Sequence, residues 1–244
     1  MKKILLSVIS ALLISSCQAQ DYPQEKLQTK SGKSIAITMI NHGSIAIEYN
    51  GVNIQVDPVE NNYGKFIDYS KFAKADIILV THEHGDHLDK NAISHLSKEG
   101  TEVLLNPKSQ QQVSIGKAIT NGKDMQIKGI KIQAVPAYNT TSGREKFHPK
   151  GNGNGYVLQF EDIRIYISGD TEDIPEMKDI KNIDIALLSV NQPYTMTCEQ
   201  CVKAAKVLMP KTLIPYHTGD TNTSKIVEDL KYVSVKVKIF NILK

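Results

Sequence analysis

From residue 34 onward, apolar residues either alternate with polar ones or run together in short blocks bounded by glycine, asparagine and serine. A period of two marks strands with one buried face, and a short unbroken run marks a strand buried on both. Residues 34–40 and 44–49 read as strands, and Asn50-Gly51 is a two-residue hairpin signal leading into a third strand over 52–56. The domain therefore begins as a meander. An apolar run over 75–81 comes next, then a helix over about 89–97, a strand over 101–105 and a polar helix near 109–115. Strands over 125–127, 130–135, 155–160 and 163–168 make a second β-rich block, and those over 185–190 and 213–216 are separated by a helix. That helix, over 198–207, carries its own start signal: Thr197 caps it and Gln200 stands three residues on, the capping-box arrangement. Met209-Pro210 stops it, because proline disfavours helical backbone in the residue before it. A last helix over 224–232 and a closing strand over 233–242 complete the pattern, with no internal repeat, low-complexity tract or linker. Such an order predicts one layered α/β domain over residues 34–244, long enough to bury a full core.

The first twenty residues follow a different logic. Lys2 and Lys3 precede an apolar run over 4–14 that is too short to span a bilayer but suits a signal peptide. It ends in Leu13-Ile14-Ser15-Ser16-Cys17, which resembles the bacterial lipobox, where cleavage before the cysteine is coupled to its lipidation. Residues 1–16 are thus expected to be removed. Cys17 becomes a lipidated N-terminus that holds an exported protein at a membrane of the bacterial cell envelope, facing the periplasm or the surface. Residues 17–33, rich in Gln, Lys and Ser, read as a tether.

Cleavage changes the charge balance, since the leader takes two lysines and no acid and the formal +3 falls by two. No basic footprint for nucleic acid remains, and the lack of tryptophan and low aromatic content agree. Export also places Cys198 and Cys201 where disulfides are permitted. Without a second pair to complete a zinc knuckle, structural thiols or a local bridge are the expected states.

The chemistry is concentrated where the run over 75–81 opens onto His82-Glu83-His84-Gly85-Asp86-His87. Three of the chain's seven histidines and two carboxylates stand together at the mouth of a strand. Side chains two apart on extended backbone point the same way, so His82 and His84 can grip one cation together. Gly85 lets the chain turn sharply, and Asp86 and His87 are then free to serve a second position beside the first. Neutral imidazole and carboxylate suit zinc, and also manganese or iron. Two divalent cations, zinc foremost, are the expected cofactors.

This His-x-His-x-Asp-His pattern resembles that of the metallo-β-lactamase-fold hydrolases, and further ligands of that family have counterparts here in the same order. A strand ending near Gly169 is followed by Asp170 and Thr171, and "SGDT" is similar to the segment carrying the carboxylate that bridges both metals. The resemblance therefore implies Asp170 as the bridge. The apolar strand over 212–216 ends at His217, where the family places its last histidine, beside Asp86 and His87. "INHGSIAIEYNGVNIQVDPV", "GNGYVLQFEDIRIYISGDT" and "PYTMT" are similar to the branch that contains the ascorbate-6-phosphate lactonase, so the resemblance covers about residues 34–244. It implies a four-layer αββα sandwich with the site along the open edge between the sheets. It does not imply antibiotic hydrolysis.

One ligand departs from the family's pattern. Its third histidine for the first metal follows a strand reading roughly Val-Pro-Ala-x-His, whereas here "IKIQAVPAY" is followed by Asn139. His148, nine residues later in a glycine-rich loop, is assigned to the position. The alternatives are an oxygen ligand from Asn139, a position left open to substrate, or a single tightly bound metal. His42, in "NHGS", falls where this branch has a histidine near the metal edge, and is expected to touch substrate, to support the ligands, or to be a plain loop residue. Asp57, closing the third strand, is expected to orient a metal-bound imidazole through its other nitrogen. Tyr194 is expected to pack, with a place in the pocket lining as the alternative, Lys150 to be solvated, with an anionic substrate as the alternative partner, and His95 to be a surface residue.

The resemblance implies hydrolysis by a metal-bound hydroxide, with Asp86 accepting the proton of the incoming water. A small-molecule ester or lactone is the first substrate class. The alternatives are a phosphodiesterase of the same fold and a non-catalytic metal- or ligand-binding surface lipoprotein, the latter suggested by Asn139. Substrate choice lies in loops whose sequence carries no such code.

Overall fold

Strand β1 (Gln24–Gln28), β2 (Ser34–Asn41), β3 (Ser44–Tyr49) and β4 (Val52–Val56) pair antiparallel in chain order in the computed structural model, which describes residues 22–240. A small hairpin of β5 (Asn61–Asn62) and β6 (Lys65–Phe66) follows, and β7 (Ile77–Val80), β8 (Glu102–Leu105) and β9 (Lys117–Ala118) then extend the same sheet in parallel. The second sheet repeats this plan. Its strands β10 (Asp124–Ile127), β11 (Ile130–Ala137), β12 (Gly153–Phe160) and β13 (Ile163–Ile167) are antiparallel. Strands β14 (Ile185–Ser189), β15 (Thr212–Tyr216) and β16 (Lys236–Val237) are added in parallel. The chain shows no repeat in its letters, yet its two sheets share one topology.

The period-two pattern sorts side chains into layers. On β7, Ile77 and Leu79 enter the core between the sheets, while Ile78 and Val80 face outward beneath α1 (Lys90–Leu96) and α2 (Pro107–Val113). On β14, Ile185 and Leu187 point inward, and Ala186 and Leu188 meet α3 (Cys198–Leu208) and α4 (Ser224–Leu230). Each fully buried aliphatic side chain contributes roughly 1.5–3 kcal/mol. Three apolar layers follow, which makes the fold an α/β four-layer αββα sandwich as expected.

The helix starts are set by side chains. Asp89 accepts from the backbone N–H groups of Asn91 and Ala92, and Asn106 accepts from that of Ser109 with Pro107 at the first helical position. The capping box predicted at Thr197 and Gln200 is present.

Several boundaries differ from expectation. Residues 24–28, read as part of the tether, form β1, because Leu27 packs against the inter-sheet core and the backbone pairs with β2 in the register Gln24↔Thr38. The closing strand shrinks to Lys236–Val237 at the sheet edge, where Val237 packs against the outer core and Lys236 is exposed. The β5–β6 hairpin and β9 pair only two residues each, too few to leave a pattern. The leader and Cys17 lie outside the described residues. Among the described residues no helix is long and apolar enough to cross a membrane.

One edge of the sandwich collects the ends of corresponding strands. Asp57 follows β4, His82 lies just beyond β7, Asp170 beyond β13 and His217 directly after β15. His42 sits in the β2–β3 turn, and residues 138–152 connect β11 to β12. Open α/β sheets place their ligands beyond such carboxyl ends. Bonds that hold the sheets together here include those from the Asn154 N–H to the Thr81 carbonyl at 2.9 Å, from the Tyr156 hydroxyl to the Val80 carbonyl at 2.8 Å, and from the His217 N–H to the His42 carbonyl at 3.3 Å.

Candidate metal centre

The extended chain beyond β7 presents His82 and His84 side by side, with His82 Nε2 3.0 Å from His84 Nδ1. The Thr81 hydroxyl donates to Asp57 and lies 3.0 Å from His82 Nδ1. It therefore accepts the Nδ1 hydrogen and leaves Nε2 as a free donor atom. His148 completes the group. Its Nδ1 donates to the Tyr194 carbonyl at 3.0 Å, and its buried Nε2 has no hydrogen-bond partner. One ligand atom from each of His82, His84 and His148 lies within 4.8 Å of the others.

A second group lies beside the first. His87 Nε2 is 3.1 Å from His217 Nε2, and Asp86 Oδ2 lies 3.7 Å from the former and 3.5 Å from the latter. His42 belongs here as well, with its unpartnered Nε2 3.4 Å from Asp86 Oδ2. His42, Asp86 and His217 satisfy the same distance condition as the first group. The sequence assigned His42 only a supporting or substrate role, but the structure adds it to the atoms able to hold a cation.

Asp170 stands between the groups. Its carboxylate is 3.3 Å from His148 Nε2 and 3.9 Å from His82 Nε2 on one side, and 3.5 Å from His87 Nε2 and 3.4 Å from His217 Nε2 on the other. Its Oδ1 is buried without a hydrogen-bond partner. Unpartnered buried nitrogen and oxygen atoms facing one another are costly unless something joins them. Imidazole nitrogens and carboxylate oxygens in this arrangement fit divalent cations.

Asp57 is wholly buried behind His87. It accepts from the Thr81 N–H and hydroxyl, both at 2.7 Å, and from His87 Nδ1 at 2.8 Å. The second nitrogen of His87 is thereby aimed at the centre. His42, Asp57 and His217 have φ of +45°, +46° and +53°, a region that side-chain-bearing residues adopt at a cost of roughly 1–3 kcal/mol each. Gly43 explains part of the tightness: a Cβ there would lie 2.9 Å from His87 Cε1. We expect Asp57→Asn to weaken metal affinity roughly 10–100-fold while leaving the fold's thermal transition cooperative. Unchanged affinity by competition with a chromophoric chelator would remove Asp57 from this role.

The remaining residues of the region hold the loops. Asn139 spends its amide hydrogens on the carbonyls of Tyr194, at 2.7 Å, and Arg144, at 3.2 Å. It braces the loop that brings His148 in. Glu172 does the same from beyond Asp170, accepting from the backbone N–H groups of Thr140 and Thr141 at 2.7 and 2.6 Å. Glu83 turns away to Asn152 and Lys108, and takes no part in the centre. His95 lies at the surface as expected and bonds Glu60 there, and Lys150, also exposed, pairs with Glu176. Tyr194 lines the pocket above the centre instead of packing away. Cys198 and Cys201 are free thiols.

In the metal-free protein the protons follow the charges. Burial works against a charged His87, but Asp170, Asp86 and Asp57 outweigh it and hold the ring's pKa well above the ordinary imidazole range. Burial pushes His82 well down, lowers His42 to about 4, and lowers His84 with help from neighbouring His148. Burial would raise Asp86 and Asp170, yet the surrounding imidazoles keep both well below the usual carboxylate range. At pH 7, His87 must therefore lose a proton before its Nε2 can bind a cation. Metal uptake should release protons, that of His87 among them, and affinity should rise with pH up to the raised pKa of His87. Calorimetric titration with zinc in two buffers of different ionisation enthalpy measures this, and proton uptake on binding would contradict it.

A family model described as a beta-lactamase superfamily domain matches residues 36–217, which spans both groups and the carboxylate between them. The chain belongs to the metallo-β-lactamase superfamily. A UPF0173 metal-dependent hydrolase of Pyrococcus horikoshii is 30% identical to this superfamily member over 194 residues, covering 75% of this chain and 84% of that one. A crystal structure from Parabacteroides distasonis, described as that of a metal-dependent hydrolase, is 51% identical, with a TM-score of 0.87 over 91% of this chain and 99% of that one. A metallo hydrolase from Ignicoccus hospitalis, 23% identical, shares the fold with a TM-score of 0.68 over 86% of this chain and 96% of the other. As a member of this metallo-β-lactamase group, the protein is a metal-dependent hydrolase with His and Asp side chains gathered to bind its metal.

Proposed function

We propose that the protein hydrolyses an ester or lactone bond of a small molecule with a pair of divalent cations, most simply zinc, held by His82, His84 and His148 and by Asp86, His87 and His217. The observation that carries this reading is the Asp170 carboxylate, within 3.9 Å of imidazole nitrogens from both groups. A pocket of about 200 Å³ opens above it, lined in part by His84, Asp86, His148 and His217. Cations bound there supply Lewis acidity and a water acidic enough to attack at neutral pH. The residues do the rest. Asp57 fixes the tautomer of His87, and the Tyr194 carbonyl fixes that of His148. Asp86, whose side chain is about a third exposed while those around it are buried, offers Oδ2 to take a proton from an incoming water.

The pocket is smaller than those that enclose drug-sized ligands, which supports a small molecule over a polymer. The similarity of the "INHGS" and "PYTMT" segments to the lactonase branch supports the bond type. The lipobox-like sequence supports attachment to the cell envelope through Cys17, and normal maturation of Cys17→Ser would remove that part. Metal-loaded protein tested on carboxylic esters, lactones and phosphodiesters should turn over the first two, lose activity to a chelator and regain it with zinc. Preference for a phosphodiester would overturn the reading.

A further inference from the structure

Above the metal groups the pocket wall is aromatic: Tyr63 enters from the β5–β6 hairpin, and Phe147 and Tyr194 enter from the two loops that position His148. Tyr63 and Tyr194 stay 59% and 44% exposed, although burying such rings is favourable. Their placement is nonetheless defined. The Tyr63 ring lies 4.5 Å from that of His42, and Phe147 and Tyr194 meet edge to face at 5.1 Å. One aromatic wall thus stands over each metal group.

Lys150 and Arg144, near this mouth, are engaged elsewhere, and Lys146 is held on the ring of Phe147. Lys150 Nζ is 2.9 Å from Glu176 and 4.8 Å from the Tyr138 ring centroid. Arg144 points to Glu172 at 3.4 Å, and Lys146 lies over the Phe147 ring at 5.2 Å. Among the described residues no lysine or arginine lines the pocket. A substrate bearing phosphate away from the reacting bond would therefore meet ring faces, whose negative π clouds disfavour an anion, with the nearest ammonium, that of Lys146, already placed over the Phe147 ring.

We propose that Tyr63, Phe147 and Tyr194 form a specificity rim selecting small esters or lactones whose non-reacting part is a flat, uncharged ring, and rejecting phosphorylated sugar lactones. The inference rests on the ester or lactone reading above and names its substrate class. It sets this chain apart from the phosphorylated substrate that the lactonase resemblance would suggest.

Three δ-lactones test it on the metal-loaded full-length protein: dihydrocoumarin, glucono-δ-lactone and 6-phosphoglucono-δ-lactone. Because dihydrocoumarin is an aryl ester and intrinsically more reactive than the two alkyl esters, the rim is read from how each variant changes the ratio and from the order of the two sugar lactones, of which the wild type should prefer the unphosphorylated one. Tyr63→Ala, Phe147→Ala and Tyr194→Ala should each lower the ratio of kcat/KM for dihydrocoumarin over glucono-δ-lactone by about three- to tenfold, mainly through KM. Metal content should stay unchanged, and Tyr194→Phe should restore the ratio. A wild type that favours the phosphorylated lactone, or an unchanged ratio in all three alanine variants, overturns the rim and leaves the hydrolase reading standing. No turnover of any lactone or simple ester by metal-loaded protein overturns the ester reading and the rim with it.

Discussion

Asp170→Ala is expected to abolish measurable turnover and to cost the protein at least one of its bound cations. Among the described residues Asp170 is the one carboxylate within 4 Å of nitrogens from both metal groups, and the imidazoles around it keep it ionised. Removing it leaves the second group with Asp86 alone to balance the charge of a cation among His42, His87 and His217. Outer partners of metal ligands typically cost roughly 10–100-fold when lost, so a shared inner carboxylate should cost more than about 100-fold in kcat/KM. The fold should survive, because the partners of the Asp170 carboxylate among the described residues are the imidazoles of the centre and not strand backbone. Its neighbour Gly169 is the more fragile position, since a Cβ there would lie 2.6 Å from the Asn154 carbonyl. Wild-type turnover by Asp170→Ala, with full metal content, would show that no shared carboxylate is needed.

His148→Ala is expected to empty the first group selectively. The backbone N–H of Asn139 donates to the His148 carbonyl at 2.8 Å, and the amide of Asn139 and Nδ1 of His148 both donate to the carbonyl of Tyr194. Asn139 thus braces the loop, and His148 reaches the first group from farther along it. Metal content should fall from two toward one per chain, with activity down about 100-fold or more. Asn139→Ala should have a smaller effect on both, because it loosens the loop without removing a donor. Unchanged stoichiometry and affinity in His148→Ala would take it out of the ligand set.

What was legible in the chain follows from how local each signal is. His82 to His87 lie within six residues at the end of a buried strand, so spacing alone brings them together. Asp170 and His217 were suggested by the family resemblance of the segments that carry them, and Asp57 by its place at the end of β4. His42 was undervalued because its approach depends on a positive-φ turn and on Gly43 leaving room for His87, neither of which has a periodic signature. Likewise β1 was hidden: its polar side chains resemble a tether, and only pairing with β2 and the single anchor Leu27 make it a strand. The aromatic rim assembles from the β5–β6 hairpin and two loops far apart in the chain, so of its three rings only Tyr194 was considered for the pocket, and packing was preferred for it. The sandwich itself was readable because β7 and β14 are apolar on both faces, a pattern that requires cover above and below.

The central claim is tested most directly by anomalous scattering at the metal's absorption edge from crystals of protein purified without chelators. Two peaks roughly 3.5–4 Å apart are predicted, one among His82, His84 and His148, the other among Asp86, His87 and His217, with Asp170 touching both. A single peak in fully loaded protein, or cations bound away from Asp170, would contradict the account.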